Sequence, residues 1–357
     1  MDTPRFALTR TIETIGGPAP DLLSVDARRA LRCITDQLPA GLSNRLYLEC
    51  RLAADAPRVD LVMCLDDRNR DVVTDGGCRH LPARLRRHAI WQGVTALCGW
   101  WAGGDANVAR AVTQVWLEFD APETATGDHL PVPCVFLAFS RASARREVVD
   151  AIVRGFGLLR GASFQSDTRA AVARAVERLP EPAWIAYAGL MCSRTVDEVR
   201  FCVANVRRDA LADYLGAVAW PGSLAHAASS LQSMRCASVG DPLNAIALLH
   251  VDVGAETGPR LGAEICFERM HQMRAMTRER DLLDRVCCLG LCATPKRDAL
   301  LAWPGHAMLR FAHECGDSLV VRRINGIKLV IEGSTLEVKA YLTAFHGLRP
   351  SRAGQIG

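Results

Sequence analysis

The stretch that decides the fold is Ile327-Lys328-Leu329-Val330-Ile331, followed after the turn Glu332-Gly333-Ser334-Thr335 by Leu336-Glu337-Val338-Lys339-Ala340-Tyr341-Leu342. In its second half, Glu337, Lys339 and Tyr341 fall on one face and apolar residues on the other. A period of two residues with one apolar face is typical of a half-buried strand, so the stretch predicts a β-hairpin. Its polar face is either solvated surface or the inside of a closed barrel, and the rest of the chain decides between them.

Four hairpins of the same pattern precede this one. Their predicted arms are 45–52 with 58–65, 115–120 with 132–139, 183–191 with 199–206, and 245–253 with 261–267. Predicted helices precede each hairpin: one that begins at Ser24 and ends at Pro39, then 81–101, 107–114, 142–159, 166–179, 208–218, 224–234, 270–289 and 296–313. The chain therefore repeats one helix-and-hairpin unit five times, with a period of roughly 60–75 residues.

Ten strands in sequential hairpins form an antiparallel meander, and a sheet of that size twists and curls. Closure into a barrel removes both edges. Because each hairpin returns the chain to the same end, the helices can all lie outside. The predicted fold class is α+β: five αββα repeats that form a ten-stranded antiparallel barrel within a ring of helices, wide enough for a central chamber.

Length and composition fit one domain of this kind. The chain has 357 residues, is 49% hydrophobic and carries a net charge of +4, which argues against nucleic acid or an anionic membrane as a partner. The longest apolar runs are of strand length and no signal pattern opens the chain, so we expect a cytoplasmic protein.

We predict a poorly ordered segment at 1–20, a single domain at 21–347 and a flexible tail at 348–357. The 14 cysteines form no Cys-x-x-Cys pair, so we predict reduced, buried thiols.

Three short motifs carry a family resemblance. These are Leu46-Tyr47-Leu48-Glu49 on the first strand, Arg58 on the second, and Val338-Lys339-Ala340-Tyr341 on the last. With the predicted architecture, they resemble the ABBA-type, or PT-barrel, prenyltransferases, in which indole prenyltransferases place a glutamate, an arginine and a Lys-x-Tyr motif at these positions. The chain departs from the fungal pattern because hairpins two to four lack Lys-x-Tyr.

The resemblance implies a transferase that moves an isoprenoid group from an allylic diphosphate to an aromatic, indole-like acceptor or to a peptide. Such barrels act in bacterial natural-product biosynthesis, including the modification of ribosomal peptides, and the arginine- and alanine-rich composition is typical of a bacterial source with high GC content. The implied roles come from the chemistry of the chamber. Cations must hold the leaving diphosphate, and aromatic faces must shield the allyl cation.

The candidate residues follow from strand parity. The predicted diphosphate ligands are Arg58, Arg200, Lys328, Lys339 and Tyr341; the predicted carbocation shield and acceptor pocket are Tyr47, Trp116, Tyr187, Glu118 and His250. Glu49 is the candidate general base, since it could accept a proton from an indole N–H. The same parity turns Asp60, Asp120, Asp252 and Glu264 inward. Unpaired buried carboxylates are costly, so these acids are expected to pair with the arginines, to bind Mg²⁺ that bridges a diphosphate, or to hold a cationic acceptor. Asp252 and Glu264 are the candidate Mg²⁺ ligands, and no organic cofactor is expected.

Two alternatives belong to other classes. His250, Asp252, Glu264 and Cys266 resemble the residues of guanidine-modifying enzymes of the pentein type, in which a cysteine attacks the guanidinium carbon. The other alternative is a barrel that binds a peptide or metabolite without catalysis. No Asp-Asp-x-x-Asp motif of the helical isoprenoid enzymes is present, because Asp66-Asp67 is followed by Arg68-Asn69-Arg70.

Overall fold

A computed structural model describes residues 8–16, 19–54, 58–74, 81–103, 111–121, 130–161, 164, 166–194, 196–237, 246–267, 275–310 and 317–348. Its strands are β1 (Arg45–Arg51), β2 (Val59–Leu65), β3 (Val112–Phe119), β4 (Cys134–Phe139), β5 (Trp184–Leu190), β6 (Val199–Ala204), β7 (Leu248–Val253), β8 (Leu261–Cys266), β9 (Gly305–Arg310), β10 (Asp317–Glu332) and β11 (Thr335–Leu348). Strands β1 to β8 follow one another around the sheet, β8 pairs with β10, and β11 pairs with both β10 and β1. Ten strands thus close into an antiparallel barrel, which confirms the predicted fold class.

The register of the seam brings the polar residues of the opening hairpin together. Glu49 on β1 lies opposite Tyr341 on β11, and Lys328 on β10 lies opposite Lys339 on β11 and Glu264 on β8. Residues directly opposite each other in a sheet point to the same face. The alternation read from the sequence therefore converges on one patch inside the barrel.

Helices surround the barrel. They are α1 (Leu8–Gly16), α2 (Val25–Thr35), α3 (Ala83–Arg87), α4 (Ala89–Gly103), α5 (Arg145–Arg160), α6 (Ser166–Glu177), α7 (Arg208–Ala217), α8 (Leu224–Ser233), α9 (Ala275–Cys288) and α10 (Thr294–Ala302). The main core lies between these helices and the outer, apolar face of the strands, where Trp91, Phe119 and Phe156 are almost fully buried. A smaller apolar cluster around Cys134, Phe136, Met191 and Cys202 lies inside the barrel.

Two sequence predictions were wrong about local structure. The segment predicted to be poorly ordered at 1–20 contains α1, which buries Leu8, Ile12 and Ile15 at a helical spacing. The helix predicted over 296–313 ends at Ala302, because the Trp303-Pro304 pair disfavours its continuation. Residues 305–310 instead form β9, which pairs with the first part of β10 outside the closed barrel.

Other differences are smaller. The helix predicted over 107–114 is wrong at its end, since Val112 already begins β3, and residues 107–110 lie outside the described part of the chain. The predicted tail also lies outside it, apart from Leu348, the last residue of β11. Every cysteine within the described residues is a free thiol, and Cys78 and Cys315 lie outside them. Among the described helices, none has the length and apolar character needed to span a bilayer.

Candidate active site

A chamber of about 260 Å³ lies inside the barrel. Nine of the residues predicted for the site line it: Tyr47, Trp116, Glu118, Tyr187, Arg200, His250, Glu264, Lys328 and Tyr341. They come from eight of the ten barrel strands, so the closure of the sheet is what brings them together. A concave, enclosed space with aromatic walls and a few convergent polar groups is the usual form of a small-molecule site.

Three aromatic side chains form one wall of the chamber. Trp116 lies between two tyrosines, with ring centroids 4.8 Å from Tyr47 and 5.9 Å from Tyr187 and with tilted or edge-on planes. The ring of Phe136 extends this wall and lies directly on the backbone of Gly189, where a Cβ atom would come within 2.2 Å of it. The wall therefore presents several π faces to anything bound in the chamber.

Replacing Gly189 by alanine should destabilise the protein by about 1–3 kcal/mol, because the new methyl group displaces the Phe136 ring from a packed position. Gly157→Ala is the matched control: it lies in α5 with no atom within 4 Å of the added Cβ, and should be neutral or stabilising by about 0.5–1 kcal/mol. Urea unfolding of both variants measures the difference. Equal stabilities for the two variants would contradict the position of the Phe136 ring.

Glu49 is held at the seam of the barrel by three donors. Its carboxylate accepts hydrogen bonds from Lys339 at 2.5 Å, Lys328 at 3.1 Å and Tyr341 at 2.5 Å. Lys328 also donates to the Tyr341 hydroxyl and lies 4.8 Å from the centroid of that ring. Glu49 and Lys339 are buried behind Lys328 and Tyr341, and neither borders the chamber.

The two ammonium groups control the protonation of this cluster. Burial alone would raise the pKa of Glu49, but the charges of Lys328 and Lys339 hold that pKa well below its ordinary value. Burial lowers the pKa of Lys339, and the neighbouring Lys328 adds to this because the two lysines share one carboxylate. Burial and the Glu49 charge raise the pKa of the Tyr341 hydroxyl, which stays a donor. Glu49 is therefore an ionised structural anchor for two cations.

A layer of ion pairs fills the barrel end where the hairpin turns lie. Arg200 forms a bidentate pair with Asp252 at 2.7 and 2.8 Å, and Arg194 reaches Asp120 at 2.6 Å and Glu118 at 3.2 Å. The remaining pairs are Arg51 with Asp60 and Glu337, Arg58 with Asp60 and Asp120, Arg260 with Glu337, and Lys339 with Glu337. Asp60, Asp120 and Asp252 are thus paired with arginine, one of the outcomes expected from the sequence, whereas Glu264 lies outside this layer.

A histidine and a carboxylate face the chamber on the opposite wall. His250 Nε2 lies 3.1 Å from Glu264 Oε2, and His250 Nδ1 lies 3.3 Å from the sulfur of Cys202. Burial lowers the pKa of His250, and Lys328 and Arg200 add to that effect, so the imidazole is neutral near pH 7. Burial would raise the pKa of Glu264, but the interaction with His250, the charge of Lys328 and the hydrogen bond from Cys266 together hold that pKa below its ordinary value.

Asp252 and Glu264 do not share a metal site. Asp252 is engaged by Arg200, while Glu264 faces His250 and the Cys266 thiol. In the described part of the chain, no three His, Cys, Asp or Glu side chains converge as ligands of one metal ion. The described residues therefore do not fit a magnesium ion held by the protein alone.

Acid should destabilise the protein in two stages. Burial lowers the pKa of His250 and lowers that of His346 to about 4, so both imidazoles stay neutral in the folded protein. Both become protonated in the unfolded chain below about pH 6.5, so the protein loses stability as the pH falls through that value. The pKa values of Glu49 and Asp252 are lowered in the folded state, so the stability that these carboxylates contribute is lost only below about pH 4. We expect the free energy of unfolding to decline between pH 7 and 5, and less so in His346→Gln. A flat profile in that range would contradict the assignment.

No family model matches the chain, and no curated protein does. Among solved structures, a 6-dimethylallyl tryptophan synthase superimposes with a TM-score of 0.53 at 9% identity, covering 95% of this chain and 96% of that one. The apo form of the prenyltransferase PriB superimposes with a TM-score of 0.50 at 12% identity, covering 97% and 98%.

The chain has the PT-barrel fold. The likeness covers nearly the whole length of both proteins, as the five-repeat pattern predicts. At these identities the superposition establishes the architecture, and the activity must be argued from the residues. The pentein alternative is wrong, because the strands form one continuous closed sheet.

Within this PT barrel, four predicted site residues do not reach the chamber: Glu49, Arg58, Asp252 and Lys339. Several chamber or layer residues were not predicted. Phe136 and Cys202 follow from the alternation of β4 and β6 and could have been found that way. Asn325 lies at a register shift of β10, where parity fails, and Arg194 lies in the turn after β5, which has no periodicity to read.

Proposed function

We propose that this protein transfers a prenyl group from an allylic diphosphate to an aromatic, indole-like acceptor. The observation that carries the proposal is the position of two cations, Arg200 and Lys328, in the same enclosed chamber as the Tyr47–Trp116–Tyr187 wall. Ionisation of an allylic diphosphate requires this combination, since the leaving anion needs cations and the allyl cation needs π faces without water.

Both cations keep hydrogen-bonding capacity despite their ion pairs. Arg200 uses Nε and Nη2 to bind Asp252, which engages two of its five N–H groups. Lys328 donates to Glu49 and Tyr341, which leaves the third ammonium hydrogen of Nζ. A diphosphate can therefore bind at the chamber side of both residues without displacing a carboxylate. Charge-assisted bonds of this type are about twice as strong as neutral ones.

The aromatic wall fits the other half of the reaction. A prenyl tail beside Trp116 would place its developing cation within reach of the indole and tyrosine faces, an attraction of about 0.5–2 kcal/mol for each face. An acceptor ring that stacks on the same wall would be held next to the electrophilic carbon. Holding two reactants together in this way supplies much of the rate enhancement of a group transfer.

The comparisons support the proposal without establishing it. The solved structures with this fold carry the names of a dimethylallyl tryptophan synthase and a prenyltransferase, which favours tryptophan or a related indole as the acceptor. A tryptophan-containing peptide is the second acceptor class to test, and a bacterial natural product is the expected context.

Turnover with defined substrates tests the proposal. The purified chain is incubated with dimethylallyl or geranyl diphosphate and with free tryptophan or a tryptophan-containing peptide, each with Mg²⁺ or with EDTA. Mass spectrometry should show the acceptor increased by one prenyl group, with release of diphosphate. Binding of the diphosphate without transfer to any acceptor would favour the non-catalytic barrel, and no binding of either donor would refute the proposal.

A further inference from the structure

Prenylation at a ring carbon leaves a proton to be removed. The bond from the donor C1 to the diphosphate oxygen breaks with its electrons on oxygen, and the aromatic ring attacks C1 to form a carbon–carbon bond. The ring is then a cation and regains aromaticity only when the C–H at the new bond loses its proton. A side chain that borders the chamber and keeps a free lone pair is in position to accept that proton.

Glu49 is poorly placed for this task. Three donors occupy its carboxylate and it lies behind Lys328 and Tyr341, away from the chamber. Protonating it would remove the carboxylate charge that the buried Lys328 and Lys339 share, which is strongly unfavourable. The sequence-based assignment of Glu49 as the general base therefore conflicts with its surroundings.

The other ionisable groups at the chamber wall are also unsuited. Arg200 and Lys328 are cations, and burial raises the pKa of the Tyr187 and Tyr341 hydroxyls, which keeps them protonated. Glu118 forms an ion pair with Arg194 at 3.2 Å, so protonating it would remove a counter-charge of that guanidinium. Glu264 borders the chamber, accepts hydrogen bonds from the His250 imidazole and the Cys266 thiol, and has no ion pair with an arginine or lysine among the described residues.

The geometry of this pair is fixed by the sheet. The imidazole of His250 lies against Gly262 on the neighbouring strand, where a Cβ atom would come within 3.0 Å of the His250 Cβ and 3.3 Å of its ring. Cys202 holds the ring from the other side at 3.3 Å. With both nitrogens engaged, Nε2 carries the hydrogen that is donated to Glu264, and the carboxylate keeps further lone pairs to accept a proton.

We propose that Glu264, oriented by His250, is the base that removes the proton from the prenylated ring. This assignment rests on the proposed function and replaces Glu49 in that role. The proton moves from the ring carbon to a carboxylate oxygen of Glu264, the C–H electrons restore the aromatic ring, and the hydrogen bond from His250 Nε2 holds the protonated carboxyl group in place. Glu264 is the catalytic residue and His250 positions it.

The test uses tryptophan deuterated at its ring carbons with dimethylallyl diphosphate as the donor. In the wild type, with an efficient base, turnover should be nearly insensitive to deuterium. Glu264→Gln should lower kcat about 10²-fold or more and make proton removal rate-limiting, so that a primary isotope effect appears. Glu264→Asp keeps the charge at a longer distance and should give a smaller loss with a detectable isotope effect. Glu256→Gln, an exposed carboxylate on the same hairpin, is the control.

His250→Gln separates positioning from binding. It should lower kcat with little change in the KM of the donor, and its effect should not add to that of Glu264→Gln, because both variants disable one unit. Binding of dimethylallyl thiolodiphosphate, measured by calorimetry, should be retained in all variants.

The outcomes distinguish the two proposals. If the wild type transfers no prenyl group to any acceptor, the proposed function fails. If the wild type is active and Glu264→Gln matches it without an isotope effect, only the assignment of the base fails. Loss of analogue binding in Glu264→Gln, or attachment of the prenyl group at the indole nitrogen, would also overturn the assignment.

Discussion

Glu49→Gln is expected to lower the free energy of unfolding by about 3–5 kcal/mol, because it leaves Lys328 and Lys339 buried without their shared counter-charge. Glutamine has nearly the same size, so the effect isolates the charge. Urea unfolding at pH 7, followed by circular dichroism, measures it.

The matched control is Glu181→Gln, which breaks an exposed ion pair with Arg145 at 2.9 Å. The Glu181 side chain is 86% exposed, and pairs of this type contribute at most about 1 kcal/mol. A loss at Glu49 no larger than the loss at Glu181 would show that the cluster at the seam is solvated or flexible, and that Glu49 is free to act in catalysis.

The second large effect concerns Lys328 and separates it from Lys339. Lys328 borders the chamber and Lys339 does not. Lys328→Met should lower the turnover of dimethylallyl diphosphate about 10²–10³-fold, because it removes a charge that stabilises the leaving anion. Lys339→Met should cost stability, as it removes one of the two buried lysines that share Glu49, and should lower turnover less than about tenfold.

Steady-state kinetics and calorimetry with dimethylallyl thiolodiphosphate compare the two variants. A similar loss of donor binding in both would mean that the whole seam cluster contacts the diphosphate, as the sequence motif alone suggests. An unaffected Lys328→Met would remove the main cationic contact from the proposed site.

The fold was predictable because the information is local and repeated. Alternation in segments such as 45–52 and 336–342 marks strands with one apolar face, and five repeats of a hairpin after helices leave few topologies other than a closed meander. The predictions that were wrong concern segments whose structure depends on contacts with residues far away in the sequence. Strand β9 exists because residues 317–322 of β10 continue beyond the barrel and offer a partner, which the pattern of 305–310 does not encode.

The composition of the chamber wall was predictable for the same reason, and the states of its residues were not. The alternation along the strands places both Glu49 and Glu264 on the inner face, but it does not show which residues of neighbouring strands lie beside them. The register across the seam decides that Glu49 meets two lysines while Glu264 meets a histidine, and this difference assigns them opposite roles. Likewise, Arg194 enters the ion-pair layer from a turn, and only the structure shows it.

A crystal structure of the chain with dimethylallyl thiolodiphosphate and tryptophan would locate both substrates. We expect the diphosphate to contact Arg200 and Lys328, the dimethylallyl group to lie on Trp116 between Tyr47 and Tyr187, and the indole to lie between this group and Glu264. A diphosphate bound outside the barrel, or a chamber that stays without the dimethylallyl group at saturating analogue, would contradict the proposed function.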